Sequence, residues 1–258
     1  NEEGESYVVF GKASWAGTPS IGLATLDGNN GFRLIGIDLG DFSGASVSSA
    51  GDVNGDGFDD LIVGAPLAAS SVSGAVTEGE RYVVFGKASW TGSPSLDLAT
   101  LDGTTGFRLI GVDAYDFGTE VSSAGDVNGD GFDDVIVGAS NAESGDDNAY
   151  EGESYVVFGK ANWAGVPSLD LATLDGANGL TLRGVDAGDL SGSSVSSAGD
   201  VNGDGFDDLI VGANSAEGEP GVYSAGASYV VFAKASWAGM PGLDLATLDG
   251  TNGFSLIG

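Results

Sequence analysis

Apolar positions along this chain follow two rhythms. In stretches such as Ala45–Gly51 (A-S-V-S-S-A-G) small polar and apolar residues alternate, whereas Asp60–Ala65 (D-L-I-V-G-A) is a continuous β-branched run closed by glycine. Alternation with period two is the signature of a half-buried strand, and a short unbroken apolar run bounded by turn residues that of a strand buried on both faces. Two further strand patterns follow. S-Y-V-V-F-G or a close variant recurs at Tyr7, Tyr82, Tyr155 and Tyr229, and F-R-L-I-G or a variant at Phe32, Phe107, Leu180 and Phe254. No stretch carries the 3.6-residue stripe of an amphipathic helix; L-A-T-L-D-G, between the third and fourth patterns, suits a single helical turn.

The four patterns repeat as a set. Val47–Ala65, Val121–Ala139 and Val195–Ala213 are the same nineteen residues apart from the exchange Leu61/Val135/Leu209, and 74 residues separate Asp52 from Asp126 and Asp126 from Asp200. Four short antiparallel strands per period, joined by turns, describe a β-propeller blade. The expected fold is all-β, with four-stranded antiparallel blades at 41–111, 115–184 and 189–258 and a half-blade of strands three and four at 1–36. The unmatched half-blade predicts a piece of a longer propeller, or an array completed by neighbouring copies, because open blades leave unpaired strand edges.

Between the first and second strands of each period lies D-V-N-G-D-G-F-D-D, with oxygen-bearing side chains at positions one, three, five and nine. A hard cation such as Ca2+ takes six to eight oxygens, and a tight loop delivers them from every second residue. The candidate ligands are Asp52, Asn54, Asp56, Asp60 and the backbone carbonyl of Phe58, with Gly57 supplying the bend. The same roles fall on Asp126, Asn128, Asp130, Phe132 and Asp134, and on Asp200, Asn202, Asp204, Phe206 and Asp208. Three calcium sites are therefore expected. The competing reading is an Asp/Asn/Gly turn whose carboxylates cap their own backbone; against it, carboxylates crowded into nine residues repel one another without a cation. The loop is not an EF-hand, since position twelve is Val63, Val137 or Val211 rather than glutamate, and a strand follows instead of a helix. Asp59, Asp133 and Asp207, just before the last ligand, read equally well as acceptors behind the ligand shell or as solvated side chains.

Composition narrows the function classes. Against 38 acidic residues stand 8 basic ones, a net charge of −30, which argues against nucleic acid and against anionic membrane surfaces. The absence of Cys and His excludes disulfides, thiolate or imidazole metal sites, and histidine- or cysteine-based catalysis. No run reaches the length of a membrane-spanning helix, so no membrane insertion is expected. The 46 glycines sit at fixed points of the repeat and mark turns, while 41% hydrophobic content suffices for a core. The chain starts without Met and reads as a mature or excised piece of something longer.

These residues together resemble the FG-GAP repeats of the integrin α-chain β-propeller and its bacterial relatives. The resemblance rests on D-V-N-G-D-G-F-D-D-L-I-V-G-A-P at 52–66 and on D-F-G at Asp116–Gly118, and it covers nearly the whole chain. Copies one and three depart at D-F-S-G (Asp41–Gly44) and D-L-S-G (Asp189–Gly192), and Pro66 becomes Ser140 and Asn214, changes that leave the cation loop intact. The resemblance implies a ring of seven blades with the calcium loops on one face and ligand contacts on the other. Alternation of strand direction agrees, because it puts the connections 67–80, 141–153 and 215–227 opposite the cation loops. Those segments alone differ strongly among the copies and are the natural place for recognition.

The variable connections carry Glu78, Glu80, Glu143, Asp146, Asp147, Glu151, Glu153, Glu217, Tyr150 and Tyr223, either as a tolerant surface or as a face for a protein or glycan partner. Trp15, Trp90, Trp163 and Trp237 recur at one place in the period, which favours packing between blades over a sugar-stacking platform. Lys12, Lys87, Lys160 and Lys234 read as solvated strand ends beside carboxylates. No pair of acidic residues stands in an environment unlike the other repeats, as a glycosidase requires. The chain is therefore read as no enzyme but an extracellular or cell-surface, bacterial calcium-binding module for adhesion or protein interaction, with a lectin-like or enzyme-appended carbohydrate-binding module as the alternative.

Overall fold

The computed structural model describes residues 3–69, 78–112, 120–143, 150–217 and 224–258. Its strands in chain order are β1 (Glu5–Val9) and β2 (Gly31–Ile35); β3 (Ser46–Gly51), β4 (Asp60–Ala65), β5 (Glu80–Val84), β6 (Ser95–Asp97) and β7 (Gly106–Ile110); β8 (Val121–Gly125), β9 (Asp134–Ala139), β10 (Glu153–Val157), β11 (Ser168–Asp170) and β12 (Gly179–Arg183); and β13 (Ser191–Gly199), β14 (Asp208–Ala213), β15 (Ala227–Val231), β16 (Gly242–Asp244) and β17 (Gly253–Ile257). The fold is all-β, and its sheets are propeller blades. Antiparallel sets β3-β4-β5-β7, β8-β9-β10-β12 and β13-β14-β15-β17 are three complete blades, and β1-β2 is the outer pair of a fourth. Each L-A-T segment forms one turn of 3-10 helix, in the later three copies capped by the preceding aspartate, as where Asp97 accepts from the Ala99 amide.

The blades are also interlocked by strands that the four-strand period did not predict. β6, β11 and β16 leave their own blades and pair in parallel with the outer strand of the preceding one, in the registers Leu34↔Leu96, Leu109↔Leu169 and Leu182↔Leu243. At each joint the carbonyl of the proline that opens this strap (Pro94, Pro167, Pro241) accepts from the main chain of the neighbouring blade, at Arg33, Arg108 and Thr181. Proline is tolerated there because the strap is an edge strand and only the prolyl carbonyl is needed.

Three apolar clusters fill the spaces between successive sheets. Consecutive residues of one strand feed different clusters: Ile62 and Val83 face the following blade, Val63 and Val84 the preceding one. That two-sided burial is why D-L-I-V-G-A is apolar throughout. Trp90, Trp163 and Trp237 lie in these clusters, as their recurrence predicts, whereas Trp15 is exposed. Trp90 stacks on Phe32 and Trp163 on Phe107 across the joint, ring centroids 3.6 and 3.7 Å apart and both interplanar angles 8°. Lys12, Lys87 and Lys160 are exposed, as expected of solvated strand ends, and Lys234 is half-buried; the four ammonium groups also stand 4.0–4.4 Å from the centres of Trp15, Trp90, Trp163 and Trp237, in cation–π contacts that the sequence did not suggest.

Candidate metal centre

Each nonapeptide joins the first two strands of its blade, and its last aspartate opens the second. Asp60, Asp134 and Asp208 are fully buried. Asp60 uses both oxygens as main-chain acceptors, Oδ2 from the Val53 amide at 3.0 Å and Oδ1 from Gly86 at 2.8 Å. Asp134 does the same with Val127 and Gly159, and Asp208 with Val201 and Ala233. The side chain thereby ties the loop to the exit of the third strand.

The upstream residues turn inward on the loop. Asp52 accepts from the Asp56 and Gly57 amides, Asn54 Oδ1 from Asp56, and Asp56 Oδ1 from Phe58, at 2.9–3.0 Å. Asp126, Asn128 and Asp130 repeat the pattern, as do Asp200, Asn202 and Asp204. Backbone capping is thus present in all three loops. Asn54, Asn128 and Asn202 also donate to the carboxylate two residues on, at 2.9–3.2 Å. As these side chains stand, no group of three or more Asp, Glu, His or Cys residues among the described ones is arranged to hold a metal ion.

The donor chemistry nevertheless fits a hard cation. Burial pushes the Asp60 carboxyl up to about 7 and that of Asp134 up to about 8, against the opposing pull of their two amide donors. The neighbouring charges of Asp56 and Asp52, and of Asp130 and Asp126, push in the same direction as burial. Asp208 is raised for the same leading reason. A carboxylate offers about four lone-pair positions, so one amide on each oxygen leaves acceptor capacity for a cation that would offset the crowded negative charge. Phe58, Phe132 and Phe206, whose backbone carbonyls complete the expected ligand set, stand at the seventh position of their loops.

Asp133 and Asp207 are acceptors, as one of the two readings drawn from sequence has it, but toward the loop of the preceding repeat rather than their own, whereas Asp59 is exposed. Asp133 Oδ2 accepts from the main-chain amide of Asp52, the first residue of the preceding repeat's loop, at 2.7 Å, and the Asp133 amide donates to the Asp52 carbonyl at 3.2 Å. Asp207 and Asp126 make the same pair of bonds at 3.1 and 3.3 Å. The partners lie 81 residues apart in sequence, beyond the reach of local pattern.

On the opposite end of the blades, Glu78, Glu143, Glu151, Glu217 and Tyr150 are described, whereas Asp146, Asp147, Tyr223 and the D-F-G at 116–118 lie outside the described residues. Glu80 and Glu153 prove not to be loop residues. They open β5 and β10, where Glu80 accepts from the Tyr82 hydroxyl at 2.8 Å and faces Arg108 at 3.6 Å, and Glu153 accepts from Tyr155 and faces Arg183. Burial raises the Glu80 carboxyl, with the tyrosine bond and Arg108 opposing. The Glu-x-Tyr spacing, which puts both side chains on one strand face, is the signal by which this pair could have been found.

Comparison with known proteins gives three matches to the FG-GAP repeat, at residues 43–84, 117–157 and 191–231. Integrin alpha-4 of Xenopus laevis is 33% identical over 184 residues, which is 70% of this chain and 15% of that protein. Integrin alpha pat-2 of Caenorhabditis elegans is 36% identical over 67% of the chain and 13% of its own length. A phosphatidylinositol-glycan-specific phospholipase D of Dictyostelium discoideum is 29% identical over 74% of the chain and 20% of its own length. The chain thus spans a fifth or less of the length of each of these relatives. No helix among the described residues is long and apolar enough to cross a membrane.

Proposed function

The chain carries three FG-GAP repeats and is related to the integrin α chains, and from that premise we propose that it is an extracellular recognition module whose blades are stabilised by calcium. Asp52, Asn54, Asp56, Asp60 and the Phe58 carbonyl would hold the first ion, with Asp126, Asn128, Asp130, Asp134 and Phe132, and Asp200, Asn202, Asp204, Asp208 and Phe206, holding the second and third. One observation carries this reading: a fully buried carboxylate in each loop, held protonation-prone by burial and by its acidic neighbours. A divalent cation would offset the negative charge gathered there, which the two amide donors of each carboxylate do not neutralise. The role of the ion is structural, and the relatives named as integrins support recognition of a protein partner on the face opposite the loops.

Calcium is expected to raise stability. For a site of about 0.1 mM affinity in about 1 mM free calcium, mass action gives roughly 1.4 kcal/mol per site. Titration calorimetry on the intact chain is the test. Three equivalents are expected for the parent and two for Asp130→Ala, with a chelator lowering the unfolding midpoint of the parent. An unchanged midpoint, or no calcium heat, overturns the reading. The phospholipase D relative supports a second possibility, a binding module appended to an enzyme; specific binding on a glycan array, with no protein partner captured by the same face, would favour it.

A further inference from the structure

Between the first and second loops, and again between the second and third, the structure shows a contact that serves neither strand pairing nor the blade core. Asp133 holds both main-chain polar groups of Asp52, accepting its N–H and donating to its carbonyl. The next residue of the first loop, Val53, gives its carbonyl to the Lys160 amide at 3.0 Å. Gly55 lies directly beneath the ring of Phe132, so that a Cβ there would run into the Phe132 ring. Gly51 is likewise covered by the Asp133 carboxylate. Asp52, Val53 and Gly55 therefore take their position from the following blade as well as from their own strands.

The second loop repeats every element. Asp207 holds Asp126, Lys234 donates to Val127, and the Phe206 ring covers Gly129. The third loop supplies an internal comparison: Gly199 and Gly203, its counterparts of Gly51 and Gly55, have nothing within 4 Å of the Cβ position, and Val201 is 54% exposed where Val53 and Val127 are 0%.

We propose that Asp133 and Asp207 are positioning residues for the cation site of the repeat before their own. The proposal rests on the calcium reading above. An aspartate accepting a main-chain N–H is a charge-assisted hydrogen bond, shorter and stronger than a neutral one. Here it fixes the backbone from which the first ligand side chain, that of Asp52 or Asp126, projects. The acceptor is fixed in turn because Asp134 and Asp208, its neighbours in sequence, are anchored in their own loops. The sites are thus linked in series, each loop steadied by the next, and a substitution at Asp133 is felt in the first loop rather than the second.

The test uses the full chain with one intact loop at a time. Asp130→Ala with Asp204→Ala keeps the first loop; Asp56→Ala with Asp204→Ala keeps the second. Adding Asp133→Ala should lower calcium affinity about tenfold, ~1.4 kcal/mol, in the first background and less than about twofold in the second. Asp133→Asn retains an acceptor oxygen and should recover most of that loss, whereas Asp59→Ala should change neither background. Without calcium, amide hydrogen exchange at Asp52 should accelerate in Asp133→Ala and stay near the parent rate in Asp133→Asn. A loss confined to the second loop, equal losses in both backgrounds, or no loss in either overturns the proposal. If neither background binds calcium, the calcium reading fails by itself, and unchanged exchange at Asp52 then overturns the positioning role.

Discussion

Replacement of Trp163 by alanine tests the joint between blades most directly. The indole is 3% exposed, lies against Phe107 of the preceding blade with centroids 3.7 Å apart, and carries the Lys160 ammonium 4.1 Å from its centre. Fully burying an aromatic of this size removes about 200 Å2 from water, worth about 5 kcal/mol at ~25 cal/mol per Å2. The stacked pair adds about 1 kcal/mol, and partial collapse of the cavity returns some of the total. A net cost of about 4 kcal/mol agrees with the usual range for buried aromatic truncations. Trp15 is the control: it is 42% exposed, keeps the lysine contact and stacks on no ring among the described residues, so Trp15→Ala should cost about 1 kcal/mol. Because repeat arrays can unfold in parts, urea midpoints should be read together with amide exchange. Protection should fall first at Ser168–Asp170 and Arg108–Ile110, the strap and its partner strand. Equal costs for the two variants, or exchange rising elsewhere while the strap stays protected, would refute the argument.

Other consequences are separately measurable. Glu80 is held above the ordinary glutamate range by burial, so it favours folding most when protonated, and that contribution is lost as pH rises from the ordinary range through its raised value. The stability difference between the parent and Glu80→Gln should therefore shift in favour of Gln as pH rises across that window; a difference independent of pH would contradict the assignment. Gly55→Ala must both accept φ of +72° and displace the Phe132 ring, whereas Gly203→Ala meets only the φ penalty at +80°. Thermal melts should show Gly55→Ala the more destabilising by about 1–3 kcal/mol, and equal melts would mean that the ring moves freely.

Much of the fold was legible because the repeat states the first two strands of a blade three times and the last two four times. The alternation in A-S-V-S-S-A-G, the unbroken D-L-I-V-G-A and the recurring Tyr and Phe runs locate strands that the structure contains, and regular recurrence identified Trp90, Trp163 and Trp237, though not Trp15, as interblade packing. The straps were not legible. Ser-Leu-Asp is too short to display a period, and its partner strand lies about sixty residues upstream, as in Leu34 against Leu96. Asp133 escaped for a related reason, since its contact is with Asp52, across a blade boundary that local sequence does not mark. The lysines are solvated as read, but their ring contacts were missed, because the three-residue step that brings the Lys160 ammonium over Trp163 lies in a connection without a regular period. For the cation loops, the residue types were plain in the sequence; the extent of main-chain capping by Asp52, Asn54 and Asp56 emerged only from the hydrogen bonds.

The straps bear on how such a chain can change length. Near-identical coding segments recombine out of step, and most proteins tolerate this poorly because the product has a new boundary with no matching surface. Here every joint uses one device, a proline carbonyl and three residues laid parallel to the preceding outer strand. Gain or loss of a whole 74-residue period, the distance from Asp52 to Asp126, recreates a joint already present elsewhere in the molecule. An exchange of a fractional period would instead separate a strap from its sheet, so the interlock itself filters which rearrangements survive as folded protein.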